Sequence, residues 1–139
     1  MKQKFFDLII KTSGQRLYEI TNQTTKWIKK NNFKNGILNL SIQHTSASLI
    51  VQENADPDVQ KDLIRYFDKL VPMTEKLYAH SIEGKDDMPA HIKSALTNNQ
   101  ILLSVKNSNL ILGTWQGIYL FEHRLKNHRR TVICHYVGN

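Results

Sequence analysis

The chain has 139 residues, 40% of them hydrophobic and 22% charged, which fits one domain spanning residues 1–139. Nineteen Lys and Arg residues against twelve Asp and Glu residues give a formal net charge of +7. No apolar run approaches the ~20 residues of a membrane-spanning helix, so a membrane-spanning protein is excluded. The single cysteine, Cys134, cannot form an intrachain disulfide, which predicts a buried thiol in a reducing, cytoplasmic compartment.

Positive charge is densest between Arg124 and Arg130, whereas the lysines of the first 34 residues are spread apart. An excess of basic over acidic residues favours phosphorylated or nucleic-acid partners. Scattered charges usually form a solvated face, and the acidic residues clustered in the motifs below argue against a track for a phosphate backbone. We therefore expect a small phosphorylated ligand rather than a nucleic acid.

Strand patterns dominate both ends of the chain. Eight segments show them: residues 4–11, 15–20, 37–42, 47–51, 100–106, 109–113, 117–123 and 130–137. The first two are predicted to form a hairpin through the turn at Gly14. The third and fourth are predicted to be central strands.

Three helices are predicted, over residues 22–32, 57–70 and 88–96. Thr21 is expected to cap the first helix, and Asp56 before a proline is a typical start for the second. Apolar residues of the second helix recur every three or four positions, which predicts a stripe facing the core. This stripe consists of Val59, Leu63, Phe67 and Leu70. Together the elements indicate an α+β fold with a largely antiparallel or mixed sheet and packed helices.

Two histidines flank an acidic pair in the polar segment that leads into the third helix. The four residues are His80, Asp86, Asp87 and His91. Imidazole and carboxylate groups together suit a divalent metal, although the spacing matches no standard zinc motif. The alternative is that both Asp side chains only cap the helix and that His91 lies on its solvent face.

A polar interruption, His44-Thr45-Ser46, separates two apolar strands. His44 can serve as an acid, a base or a metal ligand, and the hydroxyls of Thr45 and Ser46 can bind phosphate or cap a turn. A Ser–His–acid triad using Ser46 or Ser48 is disfavoured, because no G-x-S-x-G turn presents a nucleophile.

Further polar positions lie where predicted strands begin or end. Asp56 is explained as a helix cap, whereas Glu53 is placed to act as a general base or to hold a cationic group. Gln116 lies beside Trp115 between two glycines, which predicts either a turn with the tryptophan in the core or an amide that binds an oxyanion or a ring amide. Residues 122–124, Glu-His-Arg, form either a surface row of ion pairs or part of a pocket wall.

Four motifs in this order resemble the YjbQ family, described as secondary thiamine-phosphate synthases and long catalogued as uncharacterised. They are His44–Ala47, Glu53–Val59, His80–Lys93 and Leu112–Leu120. The pair Asn98-Asn99 stands where turns of the family often contain glycine, and asparagine tolerates the same left-handed backbone. The resemblance implies a homotrimer whose motif residues gather in clefts near subunit contacts. We accordingly expect one cleft to be surrounded by His44, Glu53, His80, Asp86, His91 and Gln116.

The activity that the resemblance implies is weak thiamine-phosphate synthesis, which joins an aminopyrimidine diphosphate to a thiazole phosphate. We expect a divalent metal, with zinc favoured by imidazole ligands, held by His80, Asp86, Asp87 and His91. The expected catalytic residues are His44, Glu53, Gln116 and Glu122. The expected substrate-binding residues are Thr45, Ser46, Asp56, Lys85 and Arg124. The alternative is a non-enzymatic protein that binds a metal or a small phosphorylated ligand.

Overall fold

The computed structural model describes residues 1–139 and contains eight strands and three α-helices. The strands are β1 (Lys2–Ser13), β2 (Arg16–Glu19), β3 (Gly36–Ile42), β4 (Ala47–Glu53), β5 (Gln100–Lys106), β6 (Asn109–Leu110), β7 (Gln116–Glu122) and β8 (Asn127–Gly138). The helices are α1 (Thr21–Lys30), α2 (Pro57–Leu70) and α3 (Asp87–Leu96), and one 3-10 turn spans Glu75–Leu77. The predicted α+β fold is confirmed. No helix combines the length and the apolar character needed to cross a bilayer.

The strands form two antiparallel sheets, with orders β1-β8-β3-β5-β6 and β2-β7-β4. The predicted hairpin of β1 and β2 is wrong, because β1 pairs with β8 and β2 pairs with β7. β1 forms twelve residue pairs with β8, whereas β2 has only four residues and could form at most four pairs with β1. The longer pairing is more stable. Gly14, with a φ of 92°, carries the chain from one sheet to the other. The prediction of two central strands holds only for β3, since β4 is an edge strand of the smaller sheet.

The main hydrophobic core lies between the two sheets. Leu38 and Val132 point into it from the larger sheet, and Leu49 and Leu120 point into it from the smaller sheet. Trp27 of α1 closes one side of this core. Each fully buried aliphatic side chain contributes roughly 1.5–3 kcal/mol relative to an exposed position. Cys134 is fully buried in the same core, as predicted.

Helix α2 covers the outer face of the smaller sheet, and its predicted start is confirmed. The Asp56 carboxylate accepts a hydrogen bond from the Asp58 N–H at 2.9 Å. The predicted stripe faces a core cluster through Leu63 and Phe67, but three of its members are only half-buried, and Leu70 is 53% exposed. A sheet of three strands covers only part of the helix, so the stripe packs on a small cluster around Phe121.

Two element boundaries differ from the prediction, one because of a side-chain contact and one because strand pairing ends. Thr21 is the first residue of α1 rather than its cap, since its hydroxyl donates to Glu19 and accepts from the Ile118 N–H, at 2.8 and 2.9 Å. The cap position, Ile20, makes no side-chain bond. The strand predicted over 109–113 ends at Leu110, where its pairing with β5 stops.

The outer face of the larger sheet carries apolar side chains. Phe5, His135, Asn39 and Leu102 lie opposite one another across β1, β8, β3 and β5, which places them in one row on this face. Phe5 and Leu102 are 58% and 67% exposed. Antiparallel sheets usually turn polar side chains to solvent. No element of the chain covers this apolar face.

Candidate metal centre and adjoining cleft

A histidine–aspartate–histidine cluster lies at the start of α3. Asp87 begins the helix and His91 follows one turn later on the same face, while His80 comes from the preceding loop. The Nε2 atoms of His80 and His91 lie 2.6 and 3.3 Å from Asp87 Oδ2. One ligand atom from each residue lies within 4.8 Å of the other two. Two imidazole nitrogens and a carboxylate oxygen form a donor set suited to a divalent transition ion.

The main chain fixes the tautomer of His91. Its Nδ1 lies 2.8 Å from the carbonyl oxygen of Thr45. A carbonyl only accepts, so Nδ1 carries a proton, and Nε2 is the nitrogen on the side of Asp87. Metal-binding histidines are commonly held by such a bond to their other nitrogen. Thr45 thus holds His91 through its carbonyl, whereas its hydroxyl forms no hydrogen bond within the chain and its predicted substrate-binding role stays a prediction.

Arg124 anchors both aspartates. Its Nη1 donates to Asp87 Oδ1 at 2.5 Å, its Nε to Asp86 Oδ2 at 2.9 Å, and its Nη2 to the Glu83 carbonyl at 2.9 Å. The Leu125 N–H also donates to Asp86. Asp86 makes no capping bond, so the capping alternative is wrong, and it lies outside the three-residue cluster, which corrects its assignment as a ligand. The guanidinium is committed to internal carboxylates, which corrects the prediction that Arg124 binds phosphate.

Both aspartates are ionised at neutral pH. Burial disfavours the charge on Asp87, but the hydrogen bond from His80 and the positive charge of Arg124 outweigh it and lower the pKa. Burial likewise disfavours the charge on Asp86, and bonds from the Leu125 N–H and Arg124 lower its pKa. An ionised Asp87 is an acceptor only and can therefore ligate a cation.

A second buried ion pair lies behind the cluster. Glu122 is fully buried and accepts from Arg130 Nη2 and Nε at 2.5 and 2.7 Å and from the Thr12 hydroxyl at 2.7 Å. Burial opposes its charge, but the bonds from Arg130 and Thr12 lower the pKa of Glu122. Ser46 is buried in the same network and accepts from Arg130 at 3.1 Å. This network corrects the expected catalytic role of Glu122, which is fully buried, and the substrate-binding role of Ser46, which is buried and accepts from Arg130 through both its hydroxyl and its carbonyl.

His44 is half-buried beside this network. Its Nε2 accepts the Thr131 N–H at 2.9 Å, so Nε2 is not free to bind a metal. Burial and the positive charge of Arg130 lower the pKa of His44. The ring is therefore neutral at pH 7, with its proton on Nδ1.

A cleft of about 720 Å³ adjoins the cluster and shares His91 with it. Its lining is formed by His44, Thr45, His91, Ser94, Ala95, Thr97, Asn98, Asn99 and Gln100. The sequence of Asn98 and Asn99 alone indicates only a turn. The three consecutive amide side chains of Asn98, Asn99 and Gln100 were the sequence feature that could have indicated a binding surface.

Three of the expected site residues lie far from the cluster. In the pairing of β4 with β7, Glu53 lies opposite Gln116, whereas Ala47 at the other end lies opposite Glu122. Six residue steps of about 3.3 Å separate these ends by about 20 Å. Asp56 follows Glu53 and stays at the far end as a helix cap. The expected convergence of all motifs in one cleft is therefore wrong within a single chain.

Gln116 and Lys85 are both exposed. The Gln116 Oε1 accepts the Gly113 N–H at 2.7 Å and closes a surface turn. Trp115 in this turn is 62% exposed, so the alternative that placed it in the core is wrong. Lys85 precedes the buried aspartates in sequence, forms no ion pair and remains free to contact an anionic ligand.

The fold and the cluster define an α+β protein of two antiparallel sheets with a histidine–aspartate–histidine site at a helix start. A family model described as UPF0047 protein YjbQ-like matches residues 7–139. The chain belongs to this family.

Relatives in several organisms span nearly the whole chain. A UPF0047 protein of Synechocystis is 47% identical over 94% of this chain and 89% of its own length. The UPF0047 protein YjbQ of Escherichia coli O157:H7 is 42% identical over 95% and 94%. The crystal structure of a conserved hypothetical protein from Thermus thermophilus is 31% identical, with a TM-score of 0.82 over 92% of this chain and 97% of that one. A hypothetical protein from Aeropyrum pernix shares the fold at 23% identity, with a TM-score of 0.88 over 98% and 99%.

Proposed function

We propose that this protein is a metal-assisted enzyme and that His80, Asp87 and His91 hold its divalent ion, zinc. The observation that supports the proposal is the convergence of both Nε2 atoms on one oxygen of an ionised, buried carboxylate. The donor set fits zinc, and the His80 side chain is 46% exposed, which leaves an open side to the site. Three protein ligands with an open position are typical of catalytic rather than structural zinc.

The reaction we propose, from the resemblance of the motifs, is weak thiamine-phosphate synthesis. The bond between the aminopyrimidine methylene and the diphosphate oxygen breaks, the thiazole nitrogen bonds to that methylene, and pyrophosphate leaves. A bound divalent ion supplies positive charge against the diphosphate. Asp87 and the two histidines keep that charge at the helix start, Arg124 holds Asp87 in place, and exposed Lys85 is free to contact phosphate.

Zinc titration tests the metal part of this proposal. Metal-free wild type is compared with His80→Ala, His91→Ala and, as a matched control, His128→Ala, whose ring lies on β8 outside the cluster. We expect one zinc per chain in the wild type and the control, measured by competition with a chromophoric chelator. Each of the two ligand variants should weaken binding at least tenfold. Equal affinity in all four proteins would overturn the assignment.

Pyrophosphate release from the aminopyrimidine diphosphate and thiazole phosphate tests the enzyme part. We expect slow turnover in zinc-loaded wild type, lowered at least tenfold in His80→Ala, which corresponds to ~1.4 kcal/mol of barrier. Zinc binding without turnover would refute the synthase and favour the alternative of a non-enzymatic metal-binding protein. Turnover that His80→Ala leaves unchanged would remove the cluster from the reaction.

We also propose that the protein is a homotrimer and that the uncovered apolar face of the larger sheet takes part in subunit contact. The support is the exposure of Phe5 and Leu102 on that face. Light scattering should report three chains per particle for the wild type and fewer for Leu102→Glu. A monomeric wild type at micromolar concentration would refute the trimer. A cytoplasmic location is proposed as well, supported by the single buried thiol of Cys134.

A further inference from the structure

The cleft beside His91 is polar but carries no fixed charge. No Lys, Arg, Asp or Glu lies among its lining residues, and His44 and His91 are its only titratable groups. The volume of about 720 Å³ falls in the range of small-molecule sites. The cleft therefore offers hydrogen bonds without a full charge of either sign.

The segment that carries the amide side chains is held rigidly. The Leu49 N–H donates to the Asn98 carbonyl at 2.7 Å, and the Ile42 N–H donates to the Asn99 carbonyl at 2.9 Å. These two bonds tie the segment to both sheets, since Leu49 lies on β4 and Ile42 on β3. A ligand that binds here meets a preformed backbone and loses little free energy to ordering it.

Apart from the Thr45 hydroxyl and the His44 Nδ1–H, the free hydrogen-bonding groups in this cleft are amides. The hydroxyls of Ser94 and Thr97 already donate to main-chain carbonyls, at 3.0 and 2.8 Å. The side chains of Asn98, Asn99 and Gln100 make no hydrogen bond within the chain. Each amide presents an acceptor and donors side by side.

The end of α3 makes the cleft unfavourable for anions. The helix ends at Leu96, and the cleft is lined by residues of its last turn and of the segment that follows. The carbonyls at a helix C-terminus carry a partial negative charge. Groups that donate hydrogen bonds are favoured here, and phosphate groups are disfavoured.

We propose that this cleft binds an uncharged nitrogen heterocycle bearing an amino group or ring amide. Such an edge alternates donors and acceptors and pairs side by side with an Asn or Gln amide. The inference rests on the proposed function and deepens it, because His91 forms the wall shared by the cleft and the candidate metal centre. The charged part of the same ligand then lies on the side of His80 and Lys85, outside the cleft.

Nuclear magnetic resonance tests the inference on nitrogen-15-labelled protein kept metal-free with chelator. Cytosine is the probe, and glucose and inorganic pyrophosphate are the comparison ligands. We expect millimolar cytosine to shift the side-chain amide signals of Asn98, Asn99 and Gln100, and the other two compounds to leave them unchanged. The double substitution Asn98→Ala, Asn99→Ala should weaken cytosine binding at least tenfold. The matched control Asn22→Ala, Gln23→Ala removes two exposed amides from α1 and should bind as the wild type does.

Four results would overturn the inference. Shifts caused by pyrophosphate alone would make the cleft an anion site, and shifts caused by glucose alone would make it a polyol site. No shift with any compound, or equal cytosine binding by both double variants, would show that the amides bind no heterocycle. Zinc is absent from this experiment, so its failure leaves the zinc titration untouched, and a failed zinc titration leaves the cytosine result standing.

Discussion

Replacing Arg124 with glutamine should lower the free energy of unfolding, because two buried carboxylates lose their cation. The substitution removes the cation that contacts Asp86 and Asp87 at 2.9 and 2.5 Å, and both aspartates are buried, with residue exposures of 7% and 1%. Removing one partner of a buried ion pair costs about 3–5 kcal/mol, because a charge is left without compensation. Asp86 keeps the Leu125 N–H and Asp87 keeps His80, so we expect a loss of about 3 kcal/mol, at the lower end.

Urea denaturation at pH 7 measures this loss, and Arg65→Gln is its control. Arg65 pairs with Asp62 on the surface of α2, where the side chains are 79% and 71% exposed, so the control should lose no more than about 1 kcal/mol. The folded-state pKa values of Asp86 and Asp87 are lowered below the ordinary 3.8, so the ion pair stabilises the protein above that pH and is lost as pH falls through the lowered values. The difference between wild type and variant should shrink accordingly. A loss equal to that of the control would refute the anchoring role of Arg124.

Three further outcomes are expected. Burial lowers the pKa of His123 to about 3 from 6.5, so the unfolded chain takes up a proton that the folded chain does not, and stability should fall by about 2 kcal/mol from pH 7 to 5. The variant Ser48→Ala, His123→Phe replaces both partners of the buried 2.9 Å bond and should lose this contribution, so an unchanged slope in urea titrations would contradict it. Burial raises the pKa of Cys134 to about 12, so Ellman's reagent should label no thiol at pH 8 in native protein and one in urea; native labelling would count against the buried thiol. Zinc affinity should fall as pH drops from 7 to 5, because the imidazoles must be unprotonated while Asp87 stays ionised, and a flat profile would argue against histidine ligands.

Local patterns were sufficient to predict most elements. The Asp56–Pro57 start and the periodic apolar residues gave α2 its observed bounds, and alternation gave β5 its observed bounds. The histidines and the acidic pair around the start of α3 were also identified from the sequence as candidate ligands, and the structure brings His80, Asp87 and His91 together, whereas the metal itself stays a prediction. These features depend on residues close together in sequence, so a local sequence pattern is enough to predict them.

Long-range partners were not predictable in the same way. The alternation of β1 shows that it is a strand but does not show that its partner is β8, so the hairpin was the wrong inference. Arg124 lies 37 residues from Asp87 in sequence. Without knowledge of this ion pair, the charge of Arg124 is equally consistent with a role in binding phosphate. Glu53 and Gln116 belong to motifs that resemble one family site, yet a strand length separates them from Glu122.

The pairing of the first strand with the last has a kinetic consequence. β8 lies between β1 and β3 in the larger sheet, so β1 has no other strand partner and β3 loses one neighbour until the final dozen residues are in place. During synthesis on a ribosome, the backbone groups of β1 stay unpaired until Asn127–Gly138 have been made. Closing so long a loop is slow, and unpaired edges in the waiting chain are open to association with other molecules. The β5–β6 and β3–β5 pairs of the larger sheet can therefore form before β8 is made, but the sheet is complete only when β8 has joined it.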